Sequence, residues 1–492
     1  MTTSKQDILL IGVGVMGQGI AQVAAQAGHR VFLFDTFEGA AVKAREKIAT
    51  TFTKLVEKAK LTQQDADATL ARLLPIQTLA EGKTALLAIE AVVERLDVKH
   101  SLFQQLEDLL PEGAILATNT SSISVTAIGA GLKRPERLVG MHFFNPAPLM
   151  KLVEVVHGLR TDKAIAAEVE QLARAWGKTP VHARSTPGFI VNRIARPYYA
   201  EALMLLQEQA LAPEALDAVL RAAGFRMGPC ELMDLIGLDT NYAVTKTVFE
   251  ANFYDRRFTP SLVQRELVEA GQFGRKNGRG FYVYPEGAPA LAPCPVAPPA
   301  AGSTVVVHGS GTVADALAVA AKGFTVSRVP TSNWVGLQLG SLQLRQTDGR
   351  SAWQIARAEG LAQLAVFDEL PTVAGGAIAF ATTGAASAAH AAGVLQALGW
   401  QPVPMQDAPG LVVARTLAML VNEAADAVQQ GVCTPDGADA AMKLGVNYPA
   451  GPFEWLQRLG RSRVIGLIEA LDACYRGERY RISPWLQRAG AA

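Results

Sequence analysis

Three glycines near the amino terminus have the spacing of a phosphate-binding loop. Gly12, Gly14 and Gly17 form the pattern Gly-x-Gly-x-x-Gly directly after the apolar run at residues 7–11. In such a loop the first glycine permits a tight turn, the second lets a pyrophosphate approach the backbone, and the third allows close helix packing. Phosphate oxygens would meet the N–H groups and the positive end of the following helix. The pattern indicates dinucleotide binding.

An aspartate follows this loop at the distance at which such sites bind ribose. Asp35 ends the next apolar run after Gly17, close to the spacing of about 20 residues that is typical of these sites. A carboxylate at this position accepts hydrogen bonds from both ribose hydroxyls and repels a 2′-phosphate. The two motifs together predict NAD rather than NADP, and they disfavour the alternative of a strand-to-helix turn with an incidental aspartate.

Polar and ionisable residues recur in three short runs further along the chain. NTSS occupies residues 119–122, HFFNP residues 142–146 and KLVE residues 151–154. Histidine is the side chain best suited to take up a hydroxyl proton near neutral pH. A histidine among apolar residues is, however, more often part of a core, so both interpretations of His142 stand on these runs alone.

The order of these runs resembles the 3-hydroxyacyl-CoA dehydrogenase family, whose sequences carry similar NTSS, HFFNP, KLVE and TPGFIVNR motifs. The last of these stands at residues 186–193, and the resemblance covers about residues 5–285. It implies reversible, NAD-dependent oxidation of an (S)-3-hydroxyacyl-CoA to the 3-oxoacyl-CoA. Long members of this kind are similar to enzymes that act on 3-hydroxyadipyl-CoA in phenylacetate and aromatic degradation, and 3-hydroxybutyryl-CoA is the alternative substrate.

The resemblance also implies roles for the residues of these motifs. His142 would be the catalytic base, and Glu154 would fix its tautomer and stabilise the imidazolium as it forms. Ser121 and Asn192 match family positions that hydrogen-bond the substrate oxygens and would orient the reacting carbon. A serine turn and a helix-start side chain are the structural alternatives for this pair.

Further positions match those with which the family binds its two nucleotides. The positions implied for NAD are Gly12, Gly14, Gly17, Asp35, Glu94, Lys99, Ser121, Asn145 and Lys276. The positions implied for the acyl-CoA substrate are Ser121, Asn192, Thr51 and Lys58. A cationic side chain such as Lys58 suits the phosphates of coenzyme A. A solvated helix face is the alternative explanation for both Lys58 and Lys99.

Alternating strand and helix patterns predict the elements that must position these residues. A strand at residues 7–11, a helix at 16–27 and a strand at 31–34 form a βαβ unit, and a basic helix follows at 40–60. From Gly188 onward the apolar spacing becomes mainly helical. The predicted fold class is an α/β Rossmann-type NAD-binding domain followed by an all-α domain, then a degenerate second copy with a reduced Rossmann-like segment and a second all-α domain.

The second half of the chain repeats the first in weakened form. Residues 188–203 and 410–425 keep Gly, Arg, Glu and Ala in register, but Ala414 stands where the first copy has Asn192. Gly309-Ser310-Gly311 has the outline of a nucleotide loop, yet the strand expected at 324–326 runs into Ser327-Arg328, without an acidic residue for a ribose. We expect a cofactor-free copy and one active site per chain. The second helical copy would then cover the surface that pairs with another subunit in short family members.

Composition shifts place the predicted domain boundaries. They are residues 1–185 for the NAD-binding domain, 186–284 for a helical substrate or dimerisation-type domain, 285–302 for a linker rich in proline and alanine, 303–405 for the degenerate Rossmann-like segment, and 406–492 for the second helical domain.

Overall composition limits the classes of partner. The 492 residues carry 46 Lys and Arg against 45 Asp and Glu, a net charge of +1, which predicts no nucleic-acid or membrane binding. The 4 cysteines are scattered, so neither disulfides nor a metal site is expected. No signal sequence and no apolar run of roughly 18 residues is evident. We expect a cytoplasmic enzyme whose partner is an acyl-CoA thioester, and self-association into a homo-oligomer is left open.

Two alternatives from other classes need a test. A 6-phosphogluconate-like or β-hydroxyacid dehydrogenase would share the glycine loop but would place a catalytic lysine in the helical domain. An inactive NAD-binding scaffold or sensor would fit the degenerate second half. The set His142, Glu154, Ser121 and Asn192 favours an active dehydrogenase over both.

Overall fold

The computed structural model describes residues 6–488, which form two compact units. The first comprises residues up to 193 together with residues 430–446, and the second comprises residues 194–429 and those from 447 onward. The chain therefore leaves the first unit, returns to it for one short segment, and leaves it again. Among the helices in residues 6–488, none combines the length and the apolar character that a membrane-spanning segment needs.

An eight-stranded sheet forms the centre of the first unit. Its strands are β1 (Ile8–Ile11), β2 (Val31–Phe34), β3 (Leu73–Pro75), β4 (Leu87–Glu90), β5 (Ile115–Thr118), β6 (Leu138–Phe143), β7 (Leu152–His157) and β8 (Thr179–Arg184). They lie in the order β3-β2-β1-β4-β5-β6-β7-β8. All neighbours are parallel except β6 and β7. The order reverses between β1 and β4, and ligands of such sheets bind beyond the carboxyl ends of the strands at this point.

A smaller mixed sheet lies in the second unit. Its strands are β9 (Thr304–His308), β10 (Thr325–Val329), β11 (Gly336–Leu339), β12 (Leu342–Gln346), β13 (Leu364–Phe367), β14 (Ala377–Thr382) and β15 (Gln401–Pro404). Their order is β10-β9-β11-β12-β13-β14-β15. The strand expected at residues 324–326 is present as β10. It extends further than expected and includes Ser327 and Arg328, and all five of its residues are exposed. The predicted fold class, a Rossmann-type domain with a reduced second copy, is confirmed.

Helices cover the two sheets and form the rest of the second unit. Within residues 6–488 they are α1 (Val15–Gln26), α2 (Ala40–Glu57), α3 (Gln63–Leu70), α4 (Leu96–Leu109), α5 (Val125–Gly129), α6 (Lys163–Ala175), α7 (Val191–Ile194), α8 (Arg196–Gln207), α9 (Pro213–Ala222), α10 (Pro229–Ile236), α11 (Leu238–Ala251), α12 (Leu262–Glu269), α13 (Thr312–Ala320), α14 (Ala352–Glu359), α15 (Ala385–Ala397), α16 (Val413–Gln429), α17 (Pro435–Val446), α18 (Pro452–Leu459), α19 (Arg461–Tyr475) and α20 (Pro484–Arg488). Strands β1 and β4 are apolar almost throughout because helices bury both faces of a parallel sheet.

The two helical repeats pack against each other in the second unit through reciprocal ion pairs. Arg479 Nη2 lies 2.9 Å from Glu201 Oε1, and Arg257 Nη1 lies 3.0 Å from Glu423 Oε2. Glu201 and Glu423 occupy equivalent positions in the repeats, and the same sequence offset relates Arg257 to Arg479. An arginine of each repeat thus pairs with the equivalent glutamate of the other repeat. An isologous dimer interface has the same two-fold arrangement of contacts.

Candidate active site

His142 and Glu154 face each other across the one antiparallel pair of the large sheet. They are direct partners in the register of β6 and β7, and both side chains are buried. His142 Nδ1 lies 2.6 Å from Glu154 Oε2. With the Nδ1 proton directed at the carboxylate, the Nε2 of the ring carries the lone pair. The sheet register therefore produces an imidazole that can accept a proton at Nε2.

Backbone groups fix the second oxygen of the glutamate. Glu154 Oε1 accepts hydrogen bonds from the N–H of Ile190 at 3.1 Å and of Val191 at 3.0 Å, where α7 begins. Asn192 is the next residue on that helix. One carboxylate thus positions both the histidine ring and the start of the helix that carries Asn192.

Aromatic side chains surround the histidine ring. The centroid of Phe144 lies 4.6 Å from that of His142, and that of Phe189 lies 5.9 Å away. These contacts limit the ring to one orientation, since rotation of the imidazole would displace a packed neighbour. An oriented base loses less entropy when the substrate binds.

The serine-containing loop after β5 is organised around Glu94. The Oε1 of Glu94 accepts hydrogen bonds from the Thr120 hydroxyl at 2.6 Å, from the Ser121 N–H at 3.1 Å and from the Ser122 hydroxyl at 2.9 Å. Asn119 ties the same loop to β6, because its Oδ1 accepts from the Phe143 N–H at 2.8 Å. This network brings the Ser121 loop to the strand that carries the histidine.

Lys99 holds Glu94 in turn. The Lys99 side chain is only 1% exposed, and its Nζ lies 2.5 Å from Glu90 Oε1 and 3.2 Å from Glu94 Oε2. A solvated helix charge is therefore not the explanation for Lys99. Burial raises the pKa of Glu94, but the Lys99 ammonium and the hydroxyl donors of the loop lower it more, so it lies below the usual value. Glu90, which also accepts from Thr118 at 2.8 Å, was not indicated by the sequence.

The glycine loop between β1 and α1 has the shape that NAD requires. Gly12 has φ +88°, and a Cβ there would lie 2.6 Å from the Ala91 carbonyl oxygen. A Cβ at Gly17 would overlap the Gly12 carbonyl, whereas Gly14 faces open space. Gly14 caps α1 without a side-chain hydrogen bond, so the first N–H groups of the helix point to that space. These residues fit a bound pyrophosphate.

Asp35 is joined to the same loop. Its Oδ2 accepts from the Val13 N–H at 2.9 Å and its Oδ1 from the Phe37 N–H at 3.0 Å. Each carboxylate oxygen can accept a second hydrogen bond. Asp35 therefore fixes the loop and still has the acceptor capacity that a ribose would use.

Asn145 lies on an exposed turn after β6. Lys178 stabilises this turn, because its Nζ donates hydrogen bonds to the Ala147 carbonyl at 2.5 Å and to the Met150 carbonyl at 2.8 Å. Burial and the neighbouring Lys151 lower the pKa of Lys178. Lys178 was not indicated by the sequence, because a single lysine before a strand has no distinguishing pattern.

The three remaining predicted nucleotide contacts have exposed side chains. Thr51 on α2 and Lys58 at its end are both exposed, and the Thr51 hydroxyl donates to the Lys47 carbonyl at 3.0 Å. Lys276 belongs to the second unit, where it forms an ion pair with Asp239.

A segment of the degenerate half completes the first unit. The N–H of Arg184 donates to the Val432 carbonyl at 2.9 Å, and a Cβ at Gly445 on α17 would lie 2.7 Å from Leu152 Cδ2 and 3.1 Å from Val191 Cγ2. Burial and the Glu154 carboxylate raise the pKa of the Cys433 thiol to about 12, against the opposing effect of Arg193. Residues 430–446 therefore pack behind Glu154, a role that the sequence repeat did not indicate.

The degenerate copy holds its corresponding helix start with a carboxylate from a different strand. Asp368 follows β13, the counterpart of the His142 strand β6, whereas Glu154 lies on β7. Asp368, directly after β13, accepts from the N–H groups of Val412 at 2.8 Å, Val413 at 2.7 Å and Ala414 at 2.9 Å. Burial raises the pKa of Asp368 to about 6, against the opposing effect of these donors. Among the described residues this half contains no counterpart of the histidine and glutamate pair.

Models of known protein families match most of the chain. The model of the 3-hydroxyacyl-CoA dehydrogenase NAD binding domain matches residues 7–186, and that of its C-terminal domain matches residues 188–284 and 410–492. The 3-hydroxybutyryl-CoA dehydrogenase reduced Rossmann-fold domain matches residues 344–409.

Known relatives include both long and short proteins. The 3-hydroxyadipyl-CoA dehydrogenase of Escherichia coli (strain K12) is 43% identical over 483 residues, which cover 98% of this chain and 96% of the relative. The crystal structure of 3-hydroxybutyryl-CoA dehydrogenase from Escherichia coli K12 is similar with a TM-score of 0.89 and 42% identity, covering 99% of this chain and 98% of that one. A probable 3-hydroxybutyryl-CoA dehydrogenase of Bacillus subtilis is 40% identical over 282 residues, 57% of this chain and 98% of the relative. With its glycine loop, its histidine and glutamate pair and these matches along its whole length, the chain belongs to the 3-hydroxyacyl-CoA dehydrogenase family, whose cofactor is NAD.

Proposed function

We propose that this dehydrogenase oxidises (S)-3-hydroxyadipyl-CoA to 3-oxoadipyl-CoA as a step in phenylacetate or aromatic degradation. The support is the similarity to the Escherichia coli 3-hydroxyadipyl-CoA dehydrogenase, which extends over both repeats. The name of the similar solved structure makes 3-hydroxybutyryl-CoA the second candidate. Both substrates have the same reacting group, a secondary alcohol at the third carbon of a thioester.

The observation that carries the proposal is the buried pair of His142 and Glu154. His142 Nε2 would take the proton of the substrate hydroxyl as the carbonyl forms. The ring then becomes an imidazolium, and the Glu154 carboxylate, 2.6 Å from Nδ1, stabilises that charge in a site with little water. NAD⁺, when bound, supplies the hydride acceptor.

Ser121 and Asn192 are proposed to hydrogen-bond the substrate oxygens. The Ser121 N–H donates to Glu94, which leaves the serine hydroxyl to act as a donor. Asn192 follows the two residues that Glu154 holds at the start of α7. Both side chains are therefore positioned by groups that also position the base, as an oriented reaction requires.

The remaining nucleotide contacts are proposed on the same basis. Gly12, Gly14, Gly17 and Asp35 would bind the pyrophosphate and ribose of NAD. Glu94, Ser121, Asn145 and Lys276 are proposed as further cofactor contacts. Lys99, which was predicted as another, is buried and is proposed to act by positioning Glu94. Thr51 and Lys58, exposed on the basic helix α2, are proposed to face coenzyme A.

The substrate assignment is tested by NADH formation with 3-hydroxybutyryl-, 3-hydroxyhexanoyl- and 3-hydroxyadipyl-CoA. We expect the highest kcat/KM with 3-hydroxyadipyl-CoA. A preference for 3-hydroxybutyryl-CoA would support the second candidate. Absence of NADH with every ester would support the inactive scaffold, and normal turnover after His142→Ala would support a dehydrogenase that uses a lysine.

The cellular setting is also a proposal. Cys230, Cys294, Cys433 and Cys474 are free in the described part of the chain, as in a reducing compartment, and we expect a cytoplasmic location. Fractionation of cells that express the enzyme would check the location. Sedimentation of the full chain would show whether it also forms a homo-oligomer.

A further inference from the structure

The second unit contains a cavity of about 330 Å³ that the mechanism above does not use. This volume lies within the range of about 300–1,000 Å³ that is typical of small-molecule sites. It lies where the first helical repeat meets residues 475–480 of the second. Apolar groups supply part of its wall, and they include Tyr199, Leu203 and Phe258.

A buried arginine lines this cavity. Arg196 is 4% exposed, its Nη1 donates to the Thr245 hydroxyl at 3.0 Å, and its guanidinium lies 4.9 Å from the centre of the Tyr199 ring. Burial lowers the pKa of Arg196 from its usual value, against the opposing effects of Tyr199 and Tyr448. An anion that entered the cavity would offset this desolvation.

Other charges in the wall add to the positive potential. The lining also includes the arginines Arg256, Arg476 and Arg479 and the acidic residues Glu208 and Glu478. Arg479 is paired with Glu201, but Arg256 and Arg476 are exposed on the described surface. The arginines outnumber the acidic lining residues, so the potential favours entry of an anion.

A buried amide oxygen without a hydrogen bond also lines the cavity. Gln264 is 1% exposed, and its Nε2 donates to Asn241 Oδ1 at 2.9 Å. Its Oε1 is buried and accepts no hydrogen bond within residues 6–488. This oxygen is therefore available to accept a hydrogen bond from a molecule in the cavity. The cavity thus offers a cation for a carboxylate and an acceptor for a hydroxyl.

We propose that this cavity binds a small free hydroxycarboxylic acid. Its carboxylate would pair with Arg196, its hydroxyl would donate to Gln264 Oε1, and its short carbon chain would lie against Tyr199 and Leu203. The apolar wall distinguishes such an acid from inorganic phosphate, which has no surface to place there. No residue of this site belongs to the histidine and glutamate pair or to the glycine loop.

Calorimetric titration of the full chain tests the proposal, with NAD⁺ and acetoacetyl-CoA present to fill the active site. We expect 3-hydroxybutyrate to bind, butyrate to bind more weakly and inorganic phosphate more weakly still. Arg196→Met should weaken 3-hydroxybutyrate binding about tenfold or more, because it removes a charge-assisted hydrogen bond, and Arg196→Lys should retain part of it. Gln264→Leu should abolish the preference for 3-hydroxybutyrate over butyrate.

A surface variant keeps the test informative if those buried substitutions prevent folding. The double variant Arg256→Gln/Arg476→Gln should weaken binding severalfold through the lost potential, and Arg328→Gln, at an exposed arginine on β10, is the matched control. Equal binding of all three anions, or unchanged binding in every cavity variant, would overturn the proposal. So would a loss of kcat/KM in Arg196→Met that is confined to 3-hydroxyadipyl-CoA, since the arginine would then serve the acyl-CoA substrate.

Discussion

Glu154 on β7 and Asp368 after β13 bind equivalent backbone N–H groups in the two halves of the chain, although the two acids come from non-equivalent strands. Glu154 accepts from the N–H groups of Ile190 and Val191, and Asp368 accepts from those of Val412 and Val413, which the repeat places in register with them. Glu154 uses only one oxygen for this and gives the other to His142. Asp368 uses both oxygens for backbone groups. The duplicated half thus also anchors its helix start through a carboxylate, but within residues 6–488 no histidine is hydrogen-bonded to that carboxylate.

Replacement of the histidine should remove catalysis while leaving the fold intact. In His142→Gln the amide can still face Glu154, but it cannot take up a proton near neutral pH. We expect kcat to fall roughly 10²–10⁴-fold, the usual contribution of a general base. Steady-state NADH formation measures this, with the melting temperature as the control. A variant with near-normal kcat would show that another group removes the proton.

Glu154→Gln should reverse the tautomer of the histidine. The glutamine oxygen would be retained by the Ile190 and Val191 N–H groups, so its NH₂ group would face Nδ1 and shift the imidazole proton to Nε2. We expect kcat to fall about 10²-fold or more. Asp368→Asn is the matched control, and it should lower stability without lowering kcat. Equal kcat losses in the two variants would contradict the assigned role of Glu154.

The contribution of Glu94 to the stability of the loop that carries Ser121 should decrease at low pH. The folded-state pKa of Glu94 lies below the usual value, so its contribution to stability is fully present above the unfolded pKa of about 4.3 and is lost as the pH falls through the folded value. Glu94→Gln should therefore be less stable than the wild type at pH 7, and the difference should shrink below about pH 4. Urea unfolding at several pH values measures the difference in the free energy of unfolding. A difference that stays constant with pH would contradict the prediction.

A larger side chain on α17 should displace neighbouring residues of β7, the strand that carries Glu154, and of α7. Gly445→Leu would place atoms against Leu152 and Val191, and overpacking of this kind costs about 1–3 kcal/mol. Because Val191 precedes Asn192, we expect KM for the acyl-CoA to rise together with the loss of stability. Gly466→Ala, in α19 with open space around it, is the control and should be neutral or slightly stabilising. Unchanged KM in Gly445→Leu would show that residues 430–446 do not influence the site.

The reciprocal ion pairs should make a measurable contribution to the second unit. Arg257→Met leaves Glu423 and Asp426 buried without their shared cation, and the free energy of unfolding should fall by about 3–5 kcal/mol. Arg265→Met, which removes an exposed pair with Glu269, should cost well under 1 kcal/mol. Guanidinium unfolding of the two variants checks the contrast. Similar losses would mean that burial does not govern the strength of these pairs.

Local patterns were enough to predict the parts of the fold that depend on neighbouring residues. The βαβ unit was predicted within one residue at β2 and α1, because apolar runs and glycines mark those boundaries directly. The predicted basic helix ended at Lys60, whereas α2 ends at Glu57. Lys58 is thus at the helix end and not within it.

Contacts between distant parts of the chain left no comparable pattern. Lys178 supports the turn after Asn145 from 31 residues away in sequence, and Glu90 lies within an ordinary apolar strand. The association of residues 430–446 with the first unit depends on packing against β7 and β8, which no periodicity encodes. The histidine and glutamate pair could be named from motifs, whereas Lys178, Glu90 and residues 430–446 could not, because their contacts depend on tertiary packing.

Because residues 430–446 return to the first unit before the chain re-enters the second, no single cut can divide this protein into two separate halves. A protease that nicks the irregular stretch at residues 289–300 would produce fragments that still share a folded body. Deletion of the duplicated half would therefore also remove residues 430–446 from the unit that carries the histidine and glutamate pair.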